Sequence, residues 1–220
     1  MTSRWQTEKL AVVEAAQAMA RKGLVVGAAG NVSVRLGADE ELLAITPSRT
    51  PYDLLDADAI QVIDFEGDPI EGEGIPSIES LMHIAAYRVR PNIGAVVHTH
   101  SVYASVLAVA HRELPPVIDE MVTSIGGEVP VAPYAFPSTE ELAEGVGKAL
   151  GHRNAVILAN HGMVGVGQDL RSALTNCELV ERAAQVYVLA SLLGRVNRLP
   201  DDVVEAEKEI FTMMHLNTST

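Results

Sequence analysis

The chain has 220 residues, 48 % of them apolar and 20 % charged, a balance that supports a buried core and argues against disorder. Lys plus Arg number 16 against 29 Asp plus Glu, and the resulting formal charge of −13 has the wrong sign for a protein that grips nucleic-acid phosphates over a broad basic face. A lone cysteine, Cys177, excludes an intramolecular disulfide framework, the N-terminus MTSRWQTEKL lacks the apolar stretch of a signal peptide, and no apolar run approaches the ~20 residues that cross a bilayer. The expectation is a single globular domain over residues 1–220 in a reducing, cytoplasmic setting, with no nucleic-acid or membrane partner.

From Thr7 to Lys22, apolar residues recur at three- and four-residue steps (Leu10, Val13, Ala16, Met19, Ala20), which predicts a helix ended by Gly23. VSVRLG and ELLAITPS around GADE predict a hairpin, and DAIQVIDFEGD a third strand. GEGIPSIES reads as a turn into a helix running through Tyr87, and IGAVVHTH as a strand that feeds the helix SVYASVLAVAHRE. EVPVAPYAF reads as extended, and STEELAEGVGKAL carries a Ser138/Glu141 capping box. NAVILANHGMVGVG predicts two strands joined at His161–Gly162. A long helix follows, DLRSALTNCELVERAAQVYVLASLLG, whose stripe of Leu170, Ala173, Leu174, Cys177, Val180 and Ala184 reads as core, and a shorter helix follows Pro200. Short strands joined by hairpin turns between helices predict an α/β fold with a mixed or antiparallel sheet rather than a parallel doubly wound one.

In Val96-Val97-His98-Thr99-His100, residues i and i+2 of a strand project to the same side, so two imidazoles can converge on one metal. His-x-His alone is a weak sign, equally consistent with two hydrogen-bonded surface histidines. His161, where an apolar run meets a turn, could supply a third nitrogen. Glu79, at the start of a helix where the dipole favours an acid, is the candidate carboxylate. His83, four residues on, lies on the same helix face, as a packed core residue or a partner behind the site. His111, His152 and His215 sit in polar or terminal contexts. A second group is small and polar: Gly30-Asn31-Val32-Ser33, Thr46-Pro47-Ser48-Arg49 and Pro76-Ser77 combine glycine turns, hydroxyls, an amide and a guanidinium suited to an anion. Taken one at a time these are ordinary turn residues.

GNVSVR, TPSRTPYDLL, PSIESLMHIAAYR, AVVHTHSVYASVLA and LANHGMVGVG, in this order, resemble the class II aldolase/adducin family, most of all its L-fuculose-phosphate aldolase branch. The resemblance runs from the first helix to about Leu193. It implies a three-layer α/β fold with a central, mostly antiparallel sheet flanked by helices, and a homotetramer with active sites between subunits. It implies that His98, His100 and His161 bind Zn2+, with Mn2+ or Co2+ as alternatives, that Glu79 is the catalytic carboxylate and can close the metal shell, and that Gly30, Asn31, Ser48 and Ser77 hold a substrate phosphate.

The sequence departs from the family pattern at three places. Arg49 replaces the usual glycine of the phosphate loop, Ile78 replaces a second serine beside Ser77, and Glu120 stands where fuculose-phosphate aldolases have a tyrosine acid. Arg49 can bind phosphate or carboxylate. The implied function is reversible cleavage of a ketose 1-phosphate of the fuculose, ribulose or 5-deoxyribulose type to dihydroxyacetone phosphate and an aldehyde. The alternatives are a metal-dependent dehydratase or decarboxylase with Glu120 as acid/base, and a non-catalytic, adducin-like interaction module.

Overall fold

The computed structural model describes residues 3–37 and 40–215. One eight-stranded sheet has the order β4-β3-β2-β1-β5-β8-β7-β6. Its strands are β1 (Asn31–Leu36), β2 (Leu42–Ile45), β3 (Gln61–Asp64), β4 (Pro69–Glu71), β5 (Ala95–Thr99), β6 (Val131–Ala132), β7 (Ala155–Leu158) and β8 (Gly162–Gly167). All pairings are antiparallel except β6 with β7. The β1–β2 hairpin forms as expected, although part of its GADE turn lies outside the described residues.

Among the described residues, seven α-helices cover the two faces: α1 (Gln6–Arg21), α2 (Ser80–Val89), α3 (Val102–Ala110), α4 (Asp119–Ile125), α5 (Glu140–Leu150), α6 (Leu170–Leu192) and α7 (Asp201–His215). Strand alternation sorts the core into two halves. Val32, Ala44, Val97 and Ile157 pack with α1, α3, α4 and α6, whereas Leu43, Ile45, Val96 and Val156 pack with α2 and α5. Cys177 lies fully buried in the first half, with the small-residue stripe of α6 around it. No helix among the described residues is long and apolar enough to cross a membrane.

Three local expectations change. The N-cap of α5 is Thr139, whose hydroxyl accepts from the Leu142 amide, while Ser138 sits in the left-handed region at φ 71° and makes no capping box with Glu141. The box appears instead on α6, between Asp169 and Ser172. EVPVAPYAF joins the sheet through Val131 and Ala132, with Val129 in a separate bridge to Leu114, because Pro130 and Pro133 on either side carry no amide hydrogen for a longer ladder. The short helix α4 and the exposed edge strand β4 appear in addition to the expected elements.

Candidate functional site

The site lies where β5, β1 and the β7–β8 turn end together beside the start of α2. His98 shares the strand face of Val96, which packs with α2, so its ring is directed toward that helix and is fully buried. Its Nδ1 donates to the Met163 carbonyl at 2.9 Å, which leaves the Nε2 lone pair facing the site. His100 Nε2 lies 2.9 Å from His98 Nε2. His161 stands in the turn between β7 and β8 and completes a cluster in which one ligand nitrogen from each ring lies within 4.8 Å of the others.

Close backbone approach makes this convergence possible. Gly162, the first residue of β8, packs so tightly that an added Cβ would lie 2.2 Å from the Thr99 carbonyl oxygen and 3.3 Å from His98 Cε1. Gly30, at φ +75°, would place a Cβ 2.5 Å from the His98 carbonyl oxygen. The Tyr52 hydroxyl donates to the Gly30 carbonyl at 2.6 Å and fixes that loop. On the outer side, the Glu181 carboxylate of α6 accepts from the Tyr103 and Ala104 amides at 2.9 Å each, capping α3 just after His100. Tyr52 lies within TPSRTPYDLL and Glu181 in the long helical segment, but neither stands out there as a site residue, and only their tertiary partners reveal what they do.

Glu79 is the N-cap residue of α2 rather than part of its first turn, and its side chain does not cap the helix. It reaches into the histidine cluster instead, with Oε1 3.1 Å from His161 Nε2 and Oε2 3.5 Å from His98 Nε2. Asn31, which faces His98 across the β1–β5 ladder, donates from Nδ2 to Glu79 Oε2 at 2.7 Å. Burial works to raise the Glu79 carboxyl, but His98, His161 and the Asn31 amide outweigh it and hold the group well below the usual carboxylate range. Burial pushes the His98 imidazole down to about 3 and lowers His100 as well, so both rings are neutral and keep lone pairs.

Three imidazole nitrogens and one carboxylate on a common centre form the donor set of a divalent metal. Tetrahedral zinc with bonds of about 2.0–2.1 Å to nitrogen needs its ligands ~3.3 Å apart, close to the His98–His100 separation of 2.9 Å and the His161–Glu79 separation of 3.1 Å. Without a cation, a proton on His100 Nε2 can bridge to the His98 Nε2 lone pair, and a metal ion would take the place of that proton. The donor set therefore fits a metal.

The small polar residues also assemble. The Ser77 amide donates to the Thr46 carbonyl at 3.1 Å, the Ser48 amide to the Ile75 carbonyl at 2.9 Å, and the Glu79 amide to Ser77 Oγ at 3.3 Å, which joins the Thr46-Pro47-Ser48 and Pro76-Ser77 segments to the start of α2. Asn31 commits one Nδ2 hydrogen to Glu79 and its Oδ1 to His83, leaving the second Nδ2 hydrogen for a ligand. Arg49 is exposed, stands in the left-handed region at φ 61°, and makes no ion pair or hydrogen bond among the described residues. With Ser48, Ile75 and Ile78 it lines a cleft of about 670 Å³ whose wall also carries Asp58 and Glu73. Glu120 does not join the histidine cluster: it is exposed on α4, with Arg182 of α6 at 4.0 Å. His83 is fully buried and hydrogen-bonded behind Asn31, so both readings of it hold.

A family model described as Class II Aldolase and Adducin N-terminal domain matches residues 10–188. A 5-deoxy-D-ribulose 1-phosphate aldolase of Bacillus thuringiensis serovar kurstaki is 36 % identical over 200 residues, covering 91 % of this chain and 93 % of that protein. An L-fuculose phosphate aldolase of Escherichia coli K12 is 38 % identical over 202 residues, covering 91 % and 92 %. A solved L-fuculose 1-phosphate aldolase structure superposes with a TM-score of 0.90 at 37 % identity, covering 96 % of this chain and 98 % of that one. Matched in sequence over most of its length and in its overall fold, the chain belongs to the class II aldolase/adducin family.

Proposed function

We propose that the protein is a zinc-dependent class II aldolase that reversibly cleaves a ketose 1-phosphate to dihydroxyacetone phosphate and an aldehyde. The observation that carries this reading is the convergence of Glu79 with His98, His100 and His161, beside the Gly30–Asn31 turn. Zinc, or Mn2+ or Co2+ in its place, would supply a Lewis acid that polarises the substrate oxygens.

The chain's own residues do the rest. His98, His100 and His161 hold the metal. Glu79, buried and ionised, accepts and returns the proton at the carbon that becomes nucleophilic in the dihydroxyacetone phosphate half. Gly30, Asn31, Ser48, Ser77 and Arg49 hold the phosphate and so fix which carbon lies against Glu79. Glu120 exchanges the proton of the aldehyde oxygen, and because it lies outside its own chain's histidine cluster, it serves the site of a neighbouring subunit in a cytoplasmic homotetramer. Support for self-association comes from Val102, Val106 and Val109, which leave one exposed apolar face on α3 immediately after His100.

The test is cleavage of a panel of fuculose, rhamnulose, ribulose and 5-deoxyribulose 1-phosphates by the zinc-loaded enzyme, with product identification. Dihydroxyacetone phosphate plus an aldehyde is expected. Loss of water or carbon dioxide without dihydroxyacetone phosphate would assign Glu120 to a dehydratase or decarboxylase instead, and a protein that binds no metal would be an interaction module.

A further inference from the structure

Behind the histidine cluster, two elements mesh rung by rung. Asn31, Ser33 and Arg35 share one face of β1, while Glu79, His83 and Tyr87 share one face of α2. Two residues of strand advance about 6.6 Å and four residues of helix about 6.0 Å, so the two rows stay nearly in step. The contacts form an unbroken buried chain. Asn31 Nδ2 donates to Glu79 Oε2 at 2.7 Å, and His83 Nε2 lies 2.5 Å from Asn31 Oδ1. Ser33 Oγ lies 2.7 Å from His83 Nδ1 and 2.9 Å from the Tyr87 hydroxyl. Ser33 and His83 are fully buried, and Arg35 closes the chain by donating to the Tyr87 carbonyl at 2.9 Å.

The direction of every hydrogen bond in this chain follows from the charge at its end. The Glu79 carboxylate can only accept, so Asn31 must turn its NH2 group toward it. The Asn31 oxygen then faces His83 and needs a donor, which requires the proton on Nε2. Burial pushes the His83 imidazole down to about 4, so the ring is neutral and Nδ1 must accept. The single hydrogen of Ser33 goes to that nitrogen, and the Tyr87 hydroxyl donates to Ser33 Oγ.

We infer that His83 is a positioning residue: by donating from Nε2 to Asn31 Oδ1 it anchors the amide that the Glu79 charge orients, and thereby holds the carboxylate against the metal site. An apolar residue in its place leaves Asn31 Oδ1 buried and unpaired, and the amide, still oriented by the Glu79 charge, loses the anchor that holds its N–H at that carboxylate. The kinetic consequence rests on the aldolase reading, whereas the hydrogen-bond direction does not.

The experiment therefore has two arms. In the first, the full-length, zinc-loaded His83→Leu and His83→Gln variants are compared with the unaltered enzyme for bound zinc, kcat and KM. Both are expected to keep stoichiometric zinc. His83→Leu should lose kcat ~10- to 100-fold, the range typical of partners behind metal-site residues, with KM changed much less. His83→Gln, whose amide N–H can reach Asn31, should recover most of that loss. Equal losses in the two variants, or no loss in His83→Leu, would overturn the assignment and leave a packing role.

The second arm needs neither turnover nor a folded variant. Histidine-labelled unaltered protein is examined by long-range 1H–15N NMR, with His98, held as the Nδ1–H form by Met163, as the opposite reference. A neutral Nε2–H tautomer is expected at His83, and an Nδ1–H form or an imidazolium at neutral pH would overturn the inference. Failure of the unaltered enzyme to cleave any ketose phosphate would instead reject the aldolase reading and leave this spectroscopic result to decide the role of His83.

Discussion

Gly162 passes so close to Thr99 that a Cβ on the glycine would lie 2.2 Å from the Thr99 carbonyl oxygen. This approach seats the start of β8 against the end of β5 and brings His161 to the two histidines of that strand. Gly162→Ala must push the strands apart at the site. The expected cost is ~1–3 kcal/mol of stability, as in other overpacked cores, together with weakened metal binding. Thermal unfolding of the metal-free protein and zinc titration measure the two effects separately. A variant with unchanged zinc affinity would show that the site tolerates the displacement.

Glu79→Gln separates metal binding from proton transfer. Three histidines still hold the ion, so zinc content should stay stoichiometric while kcat falls ~10²- to 10⁴-fold, the usual contribution of a general base. Replacing His161 by Ala should instead strip the metal, since it removes one of three nitrogen donors. Metal analysis after dialysis distinguishes the two outcomes. Normal turnover by Glu79→Gln would reduce Glu79 to a helix-start residue.

Arg49 combines a backbone cost with an unpaired charge. At φ 61° a non-glycine residue is strained, and no carboxylate of the described residues pairs with its guanidinium. Arg49→Gly should therefore raise stability by ~1 kcal/mol while raising KM for a phosphorylated ketose more than for its dephosphorylated analogue. A charge-assisted hydrogen bond of ~1.5–3 kcal/mol corresponds to a KM increase of at least tenfold. Equal effects on the two substrates would remove Arg49 from the phosphate site.

Glu120 can be tested by mixing. If it serves a neighbouring subunit, Glu79→Gln and Glu120→Gln variants, each inactive alone, should regain activity when unfolded and refolded together. Random assembly leaves about a quarter of the sites with both native carboxylates, given one residue from each side of a heterologous interface. No recovery in mixed oligomers would place Glu120 in its own chain's site or outside the chemistry.

Much of this molecule was legible in its sequence, for a physical reason. Long periodic segments such as α1 and α6, and the alternating β5, declare their buried faces because side-chain spacing follows directly from helix and strand geometry. His98 and His100 were visible as a pair for the same reason, since two steps along a strand return to one side. Short elements had no room to express a period: α4 spans seven residues and β4 three, and both exist because neighbours cover or pair them. The choice of Thr139 over Ser138 as a helix cap turned on a backbone angle that composition does not reveal.

Tertiary structure alone decided which distant groups meet. Asn31 and Glu79 are 48 residues apart, and their hydrogen bond exists because β1 pairs with β5 in the register that sets Asn31 opposite His98 while α2 crosses that face of the sheet. Glu181 and Tyr52 gained their roles in the same way, through strand order and helix packing. The sequence determined which chemical groups are present and which side of each element carries them. Only the packed fold, where buried polar groups must find partners at hydrogen-bond distance, determined what each one holds in place.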